Sequence, residues 1–478
     1  MKVFSLSYKF LTLLSLFTII YSVLDEGNIY LPMTSNFTLE HSESKINQKN
    51  YYTIALKVGT PEQEYEVQVD TSTSTSWIPS AKCKNCVLAH RMYDEEDSRT
   101  SSPSDIHIEI EDEDGNVEGY QISDNIKLGD YKLKQYGFVQ VTEVADDFKD
   151  HYQGKLGLGY QSHYLKDEEF NFLEKLKKNN LIAKKIFSIN AINEKKGMLF
   201  IGDIPGKEYE TYCNVTNETD KFDDVYKESW ICELTHIGLF DISKGIDDRI
   251  KSYEEIEHTT SVSFDSAYDY IAVPISEKEE IEELLEEAGL KCKESKQNTY
   301  KKNTEDKSSL RNRIREEEIT ITCETNFDEL EKKNLALSFI LQGHAYSLPF
   351  DSLFVPGKKK NEMEMLIKYI DDKDAIWTFG YPFMNQFLMI FNMEDNHVGI
   401  KKLKKTSLPI VSINSKDWNK FNLEEDASTT SSVFRIIGYL VIFAVVVAIT
   451  FFVYQAIRKA CMGDKRKSNE IEGIGRIY

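Results

Sequence analysis

Short runs of alternating apolar and polar residues recur along the middle of the chain and predict β-strands. Isoleucine, valine, tyrosine and phenylalanine take every second position in these runs, the spacing that places apolar side chains on one face of a strand. Turn-forming residues separate the runs, of which the clearest are YYTIALKVG, EYEVQVD, DIHIEIED, KLKQYGFVQV, IFSINAI and MLFIGDI. The pattern predicts a mainly β architecture.

Helical periodicity is confined to a few segments. The clearest are FNFLEKLKKNNLI and EKEEIEELLEEAGL, where apolar residues recur three and four positions apart and charged residues fill most other positions. That arrangement is typical of an amphipathic helix with one solvated face. We therefore expect scattered surface helices around the β-strands.

Two of the strand-like runs end in the same way. The run VQVDTSTST contains Asp70 and the run VSFDSAYDY contains Asp265, and in each the aspartate precedes a hydroxyl residue and a small residue. A glycine-centred run follows each of them, LGLGY after the first and WTFGYPF after the second. This internal repetition predicts two similar lobes with a cleft between them.

The repeated aspartates suggest a specific chemistry. Two carboxyl groups held at hydrogen-bond distance cannot both ionise, so they share one proton and offer a base and an acid side by side. Such a pair activates water for attack on an amide. Asp70 and Asp265 are therefore the candidate catalytic residues.

Composition is compatible with a folded protein that works away from nucleic acid. The 478 residues include 41% hydrophobic and 12% aromatic residues, enough to bury one or more substantial cores. There are 58 Lys and Arg residues against 79 Asp and Glu residues, which gives a formal net charge of -21. Because this charge repels phosphate backbones, we expect no nucleic-acid partner, and the acidity is compatible with an acidic lumen.

The two ends of the chain carry apolar segments of different lengths. The first, FLTLLSLFTIIYSV, predicts a removed signal peptide over residues 1–24, with an uncleaved anchor as the alternative. The second, IIGYLVIFAVVVAITFFVYQAI, has no charge and is long enough to span a bilayer, which predicts a transmembrane helix over residues 433–457.

The flanks of this second segment predict its orientation. Basic residues follow it, so residues 458–478 are expected in the cytosol and the preceding chain in the lumen or outside. The polar residues 406–432 are expected to form a stalk. The sequence therefore predicts a single-pass type I membrane protein of the secretory or endolysosomal pathway or of the cell surface.

Cysteine usage agrees with an oxidising compartment. Six cysteines lie in the predicted lumenal part, and we expect three disulfides paired in sequence order. A redox or zinc motif is the alternative for the CKNC segment, although no second CxxC occurs. Cys461 lies alone beyond the predicted transmembrane helix, where we expect a free thiol. The six are Cys83, Cys86, Cys213, Cys232, Cys292 and Cys323.

Other motifs predict glycosylation and exclude some chemistries. Sequons at Asn36, Asn214 and Asn217 predict surface glycans in a secretory protein. The nine histidines show no metal-ligand spacing, and the Gly-x-Ser-x-Gly motif of serine hydrolases does not occur. We therefore expect no metal and no cofactor.

From about residue 51 to residue 405 the chain resembles the pepsin-type aspartic proteases. Six strings match in the same order: KVGTPEQEYEVQVDTSTSTSWIPS, the CKNC loop, YQGKLGLGY, LFIGDIP, VSFDSAYDYIAVP and WTFGYPFMNQFLMIFNMEDNHVGI. The resemblance implies a bilobal, mainly β fold with an N-terminal lobe over residues 51–205 and a C-terminal lobe over residues 206–405. Residues 25–50 then form a short N-terminal segment before the first lobe.

The resemblance also implies roles for individual residues. An extended peptide is expected in the cleft, with Asp70 and Asp265 bracketing the attacking water. Thr71 and Ser266 match family positions whose hydroxyls reach across the lobe junction to backbone groups, which holds the geometry of the pair. Trp77 matches the tryptophan that supports the flap, the hairpin that closes over the substrate.

The chain departs from the family pattern at several of these positions. Ser72 and Ala267 stand where glycine is usual; their backbone N–H groups still donate to the carboxylates, but a β-carbon can strain a tight loop. Tyr268 stands where a small hydroxyl residue is usual. In the flap, Asp112 takes the position of the usual tyrosine, which adds an acid above the cleft.

Two hypotheses follow from the sequence. The first is a monomeric, membrane-tethered aspartic endopeptidase that acts on protein or peptide substrates through the Asp pair. The alternative is a catalytically inactive protease-like ectodomain that binds peptides or proteins, motivated by Ser72, Ala267, Tyr268 and the absent flap tyrosine. The fold alone does not distinguish them.

Overall fold

The structure is a computed structural model, and it describes fifteen parts of the chain. These are residues 28–35, 52–84, 86, 91–110, 116–144, 153–160, 170–193, 196–203, 211–216, 228–244, 250–296, 318–359, 361–371, 375–403 and 408–412. Several predicted features lie outside them, namely the signal peptide, Asp112, the sequons at Asn36 and Asn217, Cys461, the transmembrane helix, the tail and most of the stalk. Of the predicted stalk, residues 408–412 are described, and Val411–Ser412 form a short strand paired with Ala345 and His344, so this part belongs to the folded protein. Within the described parts, the helices are too short or too polar to cross a bilayer.

The described residues form a mainly β structure, as the alternation predicted. The strands, in chain order, are β1 Ile29–Ser35, β2 Tyr52–Val58, β3 Gln63–Asp70, β4 Trp77–Lys84, β5 Ser102–Ile110, β6 Val117–Leu128, β7 Tyr131–Val144, β8 Lys155–Gly157, β9 Ile186–Asn193, β10 Lys196–Ile201, β11 Thr211–Asn214, β12 Ile231–Asp241, β13 Ile250–Phe264, β14 Ile271–Pro274, β15 Cys292–Lys296, β16 Glu318–Cys323, β17 Leu335–Leu341, β18 His344–Pro349, β19 Phe354–Pro356, β20 Met363–Ile370, β21 Trp377–Phe379, β22 Phe387–Asn392, β23 His397–Lys402 and β24 Val411–Ser412. The α-helices are α1 Phe172–Lys178, α2 Lys278–Glu287, α3 Phe327–Lys333 and α4 Tyr381–Met384, and short 3-10 helices occupy Glu95–Asp97, Ile275–Glu277 and Phe350–Leu353.

Two large sheets contain these strands. The first has the strand order β11-β23-β22-β9-β10-β1-β2-β3-β8-β4-β7-β6-β5, and the second has the order β15-β16-β20-β14-β21-β13-β12-β17-β18-β24, with β19 paired to β20. Strand β22, which comes late in the chain, pairs with β9 of the first half. The first sheet therefore contains strands from both halves of the chain and connects the two lobes.

The N-terminal segment contributes a strand to the first sheet. Strand β1 lies between β10 and β2, with Ile29 opposite Ile201 and Thr34 opposite Thr53. Its alternate residues Ile29, Leu31 and Met33 are buried, as a period-two pattern requires. The residues that precede the first predicted lobe are thus part of its core.

The helices are amphipathic, as their sequence periodicity predicted. In α2 the buried residues are Ile281, Leu284 and Leu285, three and four positions apart. Helix α1 begins at the N-cap Asn171, whose side chain accepts a hydrogen bond from the Glu174 N–H, and this satisfies a donor at the helix start. Both helices cover the sheets with one apolar face, which leaves the strand ends to form the site.

Each of the two repeated aspartates follows a strand that pairs in parallel with a glycine-centred strand. Strand β3 runs parallel to β8, with Asp70 opposite Gly157. Strand β13 runs parallel to β21, with Phe264 opposite Phe379. The internal repetition in the sequence therefore corresponds to the same local arrangement in each sheet.

Candidate active site

The two aspartate loops are joined to each other by four buried hydrogen bonds. Thr71 Oγ1 donates to the Phe264 carbonyl at 2.8 Å and accepts from the Ser266 N–H at 3.0 Å. Ser266 Oγ donates to the Val69 carbonyl at 2.6 Å and accepts from the Thr71 N–H at 3.2 Å. Because each hydroxyl bridges to backbone of the other loop, the loops after Asp70 and Asp265 are held together.

The Asp70 carboxylate has hydrogen-bond donors on one oxygen and a cation beside the other. Its Oδ1 accepts from the Ser72 N–H at 2.8 Å and from Ser72 Oγ at 2.6 Å. Its Oδ2 lies 2.9 Å from the Nζ atom of Lys155, and neither side chain has exposed surface. A charged group at this distance in a buried site makes a strong, charge-assisted contact. The Ser72 side chain, absent in a glycine, thus adds a donor to Asp70.

The Asp265 carboxylate is also held by its own loop. Its Oδ1 accepts from the Ala267 N–H at 2.8 Å, and both residues are buried. Among the described non-glycine residues, a positive φ occurs at Gln135, Asn180, Asn334, Gln342, Asn361 and Asn396 and not at Ser72 or Ala267. The β-carbons at these two positions are therefore compatible with the backbone of the loops.

Glycines bring the loops and their neighbouring strands into close contact. A β-carbon on Gly157 would lie 2.5 Å from the Ser74 carbonyl carbon, and one on Gly380 would lie 2.3 Å from the Tyr270 carbonyl oxygen and 2.4 Å from that of Tyr268. In the first lobe a backbone hydrogen bond accompanies this packing, because the Leu158 N–H donates to the Asp70 carbonyl at 2.7 Å. Only glycine permits such an approach.

A buried acid outside both motifs braces the first loop. Glu228 lies just before β12, and its Oε2 accepts from Thr73 Oγ1 at 2.5 Å and from the Ser74 N–H at 2.7 Å. Nearby, Ser229 Oγ donates to the Ser72 carbonyl at 3.3 Å. The segment before β12 therefore fixes the loop that follows Asp70.

Trp77 lies at the start of β4, in a small apolar cluster. The cluster also contains Ile110 and Val117, which flank the predicted flap tip, together with Val139 and Phe170. Trp77 thus shares a cluster with the ends of β5 and β6 that adjoin the predicted flap tip. Asp112 itself lies outside the described residues.

Tyr268 is half-buried beside the second loop. Its ring makes an edge contact with Tyr270, with ring centroids 5.1 Å apart, and its carbonyl accepts from the Tyr381 N–H at 2.8 Å. Lys368 Nζ lies 3.9 Å from the centre of the Tyr270 ring, within cation–π range. Tyr268 therefore joins an aromatic group at this loop.

Comparison with known proteins identifies the family. The sequence pattern described as Eukaryotic aspartyl protease matches residues 51–403. The chain belongs to this family. Vacuolar protease A of Aspergillus fumigatus is 24% identical over 377 residues, which cover 74% of this chain and 79% of that protein. Renin of Echis ocellatus is 21% identical over 392 residues, which cover 79% and 85% respectively.

Other relatives match over shorter segments. Procardosin-A of Cynara cardunculus is 30% identical over 172 residues, which cover 34% of this chain and 33% of that protein. The chain spans about a third to a half of the length of the cardoon relatives and of the Dictyostelium discoideum cathepsin D that it matches. The family therefore follows from the long match over both lobes.

The sequence patterns predicted no role for three residues of this candidate site, namely Lys155, Gln68 and Glu228. Lys155 and Gln68 are fully buried on adjacent strands, and neither polar atom of the Gln68 side chain has a partner among the described residues. The available signal was a lysine and a glutamine inside strands that should bury only apolar side chains. No such signal marks Glu228, because it precedes its strand and belongs to no motif.

The predicted disulfides are present. Cys83 is bonded to Cys86, Cys213 to Cys232, and Cys292 to Cys323, which is the predicted sequence order. Cys83 lies near the end of β4 and Cys86 just after it, so this disulfide closes the end of the strand. The alternative zinc site at CKNC has therefore no free thiolates in this state.

Asn214, a predicted glycosylation site, is exposed on β11, and its Nδ2 donates to Gln342 Oε1 at 3.1 Å.

One group among the described residues brings potential metal ligands within 4.8 Å of one another, namely His107, Glu109 and Glu118 on β5 and β6. His107 Nε2 lies 3.2 Å from the Glu118 carboxylate, so these two side chains already contact each other.

Proposed function

We propose that the protein is an aspartic endopeptidase that hydrolyses peptide bonds through Asp70 and Asp265. The observation that supports this most is the reciprocal bridge of Thr71 and Ser266, which ties the two buried aspartate loops to each other. A dyad needs two carboxyl groups held in a fixed relation, and only such a bridge supplies it across two lobes. Family membership supports a protein or peptide substrate.

The proposed reaction has two steps, each with two proton transfers. The Asp70 carboxylate takes a proton from water while the oxygen attacks the scissile carbonyl carbon, and the Asp265 carboxyl gives its proton to the carbonyl oxygen. The tetrahedral diol then collapses. Asp70 returns its proton to the leaving nitrogen, Asp265 regains a proton from a diol hydroxyl, and the C–N bond breaks. Both aspartates are thereby restored without a covalent intermediate.

A second candidate is a protease-like protein that binds peptides without cleaving them. The contact of Asp70 with Lys155 favours it, because a buried ammonium lies 2.9 Å from one oxygen of the carboxylate that would have to activate water. The cleft and loops would remain, so peptide binding would persist.

We also propose that the chain is a type I membrane protein. The support is the uncharged segment over residues 433–457 and the basic residues after it. The catalytic part would then face the lumen or the outside, where the three disulfides form and Asn36, Asn214 and Asn217 can receive glycans.

Cleavage of an unfolded protein by the purified full-length chain tests the first proposal. The assay runs between about pH 4 and 6, and Asp265→Asn is compared with Asp351→Asn, which removes a surface carboxylate. Asp265→Asn is expected to lower kcat by at least about 100-fold, and Asp351→Asn to leave it unchanged. Cleavage that survives Asp265→Asn excludes the dyad. Tight peptide binding with no cleavage by wild type favours the second candidate.

Topology is tested separately in microsomes. The proposed orientation predicts that added protease removes only the tail, and that Asn214→Gln lowers the glycosylated mass. Digestion of the disulfide-bonded part without detergent would contradict the orientation.

A further inference from the structure

Lys155 is the most unusual residue near the candidate dyad. It lies in β8 between Gly154 and Leu156, and its side chain has no exposed surface. A lysine is almost never fully buried unless its charge is paired. Its Nζ atom lies 2.9 Å from Asp70 Oδ2, so the partner is one of the two proposed catalytic carboxylates.

The strand register explains why this lysine reaches Asp70. In the parallel pair of β3 and β8, Gln68 is opposite Lys155 and Asp70 is opposite Gly157. Positions two apart on a strand share a face, so Lys155 lies on the face of Gln68 and Asp70 and one step behind the carboxylate. A long, unbranched side chain spans that diagonal. A shorter polar residue would stop beside the Gln68 amide.

Ser72 and Lys155, both in the first lobe, act on the same carboxylate. The Ser72 N–H and Oγ occupy Oδ1, and Lys155 occupies Oδ2. The ammonium compensates the negative charge of Asp70 without contact with solvent. Loss of either charge would remove the ion-pair contact from the other, which is costly in a buried site.

We infer that Lys155 is a positioning residue that acts as the internal counter-ion of Asp70, so that Asp70 stays charged and Asp265 alone exchanges the acidic proton. This inference rests on the proposed function and specifies which aspartate of the dyad acts as base and which as acid. Asp70 is the fixed base and Asp265 the proton donor to the carbonyl. The two aspartates of this chain therefore do not share one proton on equal terms.

The inference predicts the direction in which a neutral substitution moves the pH profile. Without Lys155, Asp70 is protonated more readily, so the acidic limb of activity moves to higher pH. Asp265 then faces an uncompensated negative charge and keeps its proton to higher pH, so the alkaline limb also moves up. Both limbs of the profile shift in the same direction.

Among the described residues, three ionisable groups come from the elements that adjoin the Asp70 loop. Lys155 comes from β8, Asp265 from the loop after β13, and Glu228 from the segment before β12. Glu228 accepts hydrogen bonds from Thr73 and Ser74 in wild type and in a Lys155 variant alike. Glu228 therefore affects the pH profiles of wild type and of the Lys155 variant in the same way, and it does not account for a difference between them.

The test measures kcat and kcat/KM of the full-length protein from about pH 2 to 8. The variants are Lys155→Met, which keeps the length of the side chain without its charge, and Lys155→Arg, which keeps the charge. Lys175→Met is the matched control, because Lys175 is another buried lysine and lies on α1, away from the aspartate loops.

Lys155→Met is expected to move both limbs upward by about 1 to 3 pH units, with the effect in kcat rather than KM. Lys155→Arg and Lys175→Met should keep the wild-type limbs. Cleavage by Lys155→Met at pH values above the alkaline limit of wild type belongs to the same upward shift and also supports the inference. Superimposable profiles of active wild type and Lys155→Met overturn it and leave the proposed function standing.

Failure of the proposed function looks different, because neither wild type nor Lys155→Met then cleaves. The counter-ion is still decided by unfolding in urea as a function of pH. A loss of stability below about pH 5 that differs between wild type and Lys155→Met, and not between wild type and Lys175→Met, supports it. Identical acid dependence of wild type and Lys155→Met overturns it.

Discussion

The pairing of Asp70 with Lys155 predicts that the usual inactivating mutation of an aspartic protease is a severe folding mutation here. Asp70→Asn removes the negative charge and leaves the Lys155 ammonium fully buried, 2.9 Å from a neutral amide. Breaking a buried ion pair by removing one partner costs about 3–5 kcal/mol, because the remaining charge has lost its hydration and gained no partner. Removing both charges costs far less.

The magnitude is measured with four proteins. They are wild type, Asp70→Asn, Lys155→Met and the double variant, each purified at full length and unfolded in urea at neutral pH. Trp77, Trp230 and Trp377 are almost fully buried, so their fluorescence reports loss of the described fold. We expect Asp70→Asn to lose about 3–5 kcal/mol, and the double variant to recover to within about 1 kcal/mol of wild type.

Lys155→Met is expected to lose less than Asp70→Asn. The Ser72 N–H and Oγ still donate to Asp70 Oδ1 in that variant, so part of the buried charge remains satisfied. The two single effects must therefore be strongly non-additive. If they add to the double effect within about 0.5 kcal/mol, the side chains are not coupled and the reasoning from the ion pair is wrong.

Three further changes test the frame around the pair. Thr71→Val is expected to cost about 1–3 kcal/mol for each backbone group left unpaired, including the Ser266 N–H, while Thr71→Ser retains both bonds, as urea unfolding will show. Gly380→Ala places a β-carbon 2.3 Å from the Tyr270 carbonyl oxygen and should prevent accumulation of folded protein, measured as soluble yield. Burial raises the pKa of Glu364, so the folded state binds a proton that the unfolded chain has lost, and stability falls as pH rises through that window. Glu364→Gln should therefore be more stable than wild type at pH 7. The two proteins should be about equally stable near pH 4, where the Glu364 carboxyl of wild type is mostly protonated in both the folded and the unfolded state.

Most of the fold could be predicted from local periodicity and short repeats. The alternation of apolar residues predicted the strands, and the repeated Asp and Gly strings predicted that each sheet would carry the same arrangement at Asp70 and Asp265. The disulfides followed from an even number of cysteines in neighbouring pairs. All of these features depend on contacts between residues close in sequence or on repetition that is visible in the letters.

The electrostatic partner of Asp70 could not be predicted in that way. A parallel strand pair joins residues far apart in the chain, and a shift of one position would have turned Lys155 to the opposite face. The letters GKLG show a charge in a buried strand but not the group that compensates it. Glu228 was missed for a related reason, since its hydrogen bonds to Thr73 and Ser74 arise from tertiary packing of an irregular segment.

The two halves of the site are therefore alike in backbone and different in charge. In the second lobe, Asp265 receives the Ala267 N–H on one oxygen, and alanine adds no polar atom. In the first lobe, serine in place of glycine adds a hydroxyl, and Lys155 adds an ammonium, both on Asp70. The hydrogen bonds of Thr71 and Ser266 hold the two aspartate loops together, whereas the added hydroxyl and the ammonium lie beside Asp70. In the proposed function, this difference assigns the roles of base and acid. A dyad built from two similar lobes can thus assign base and acid in advance, through side chains that only one lobe carries.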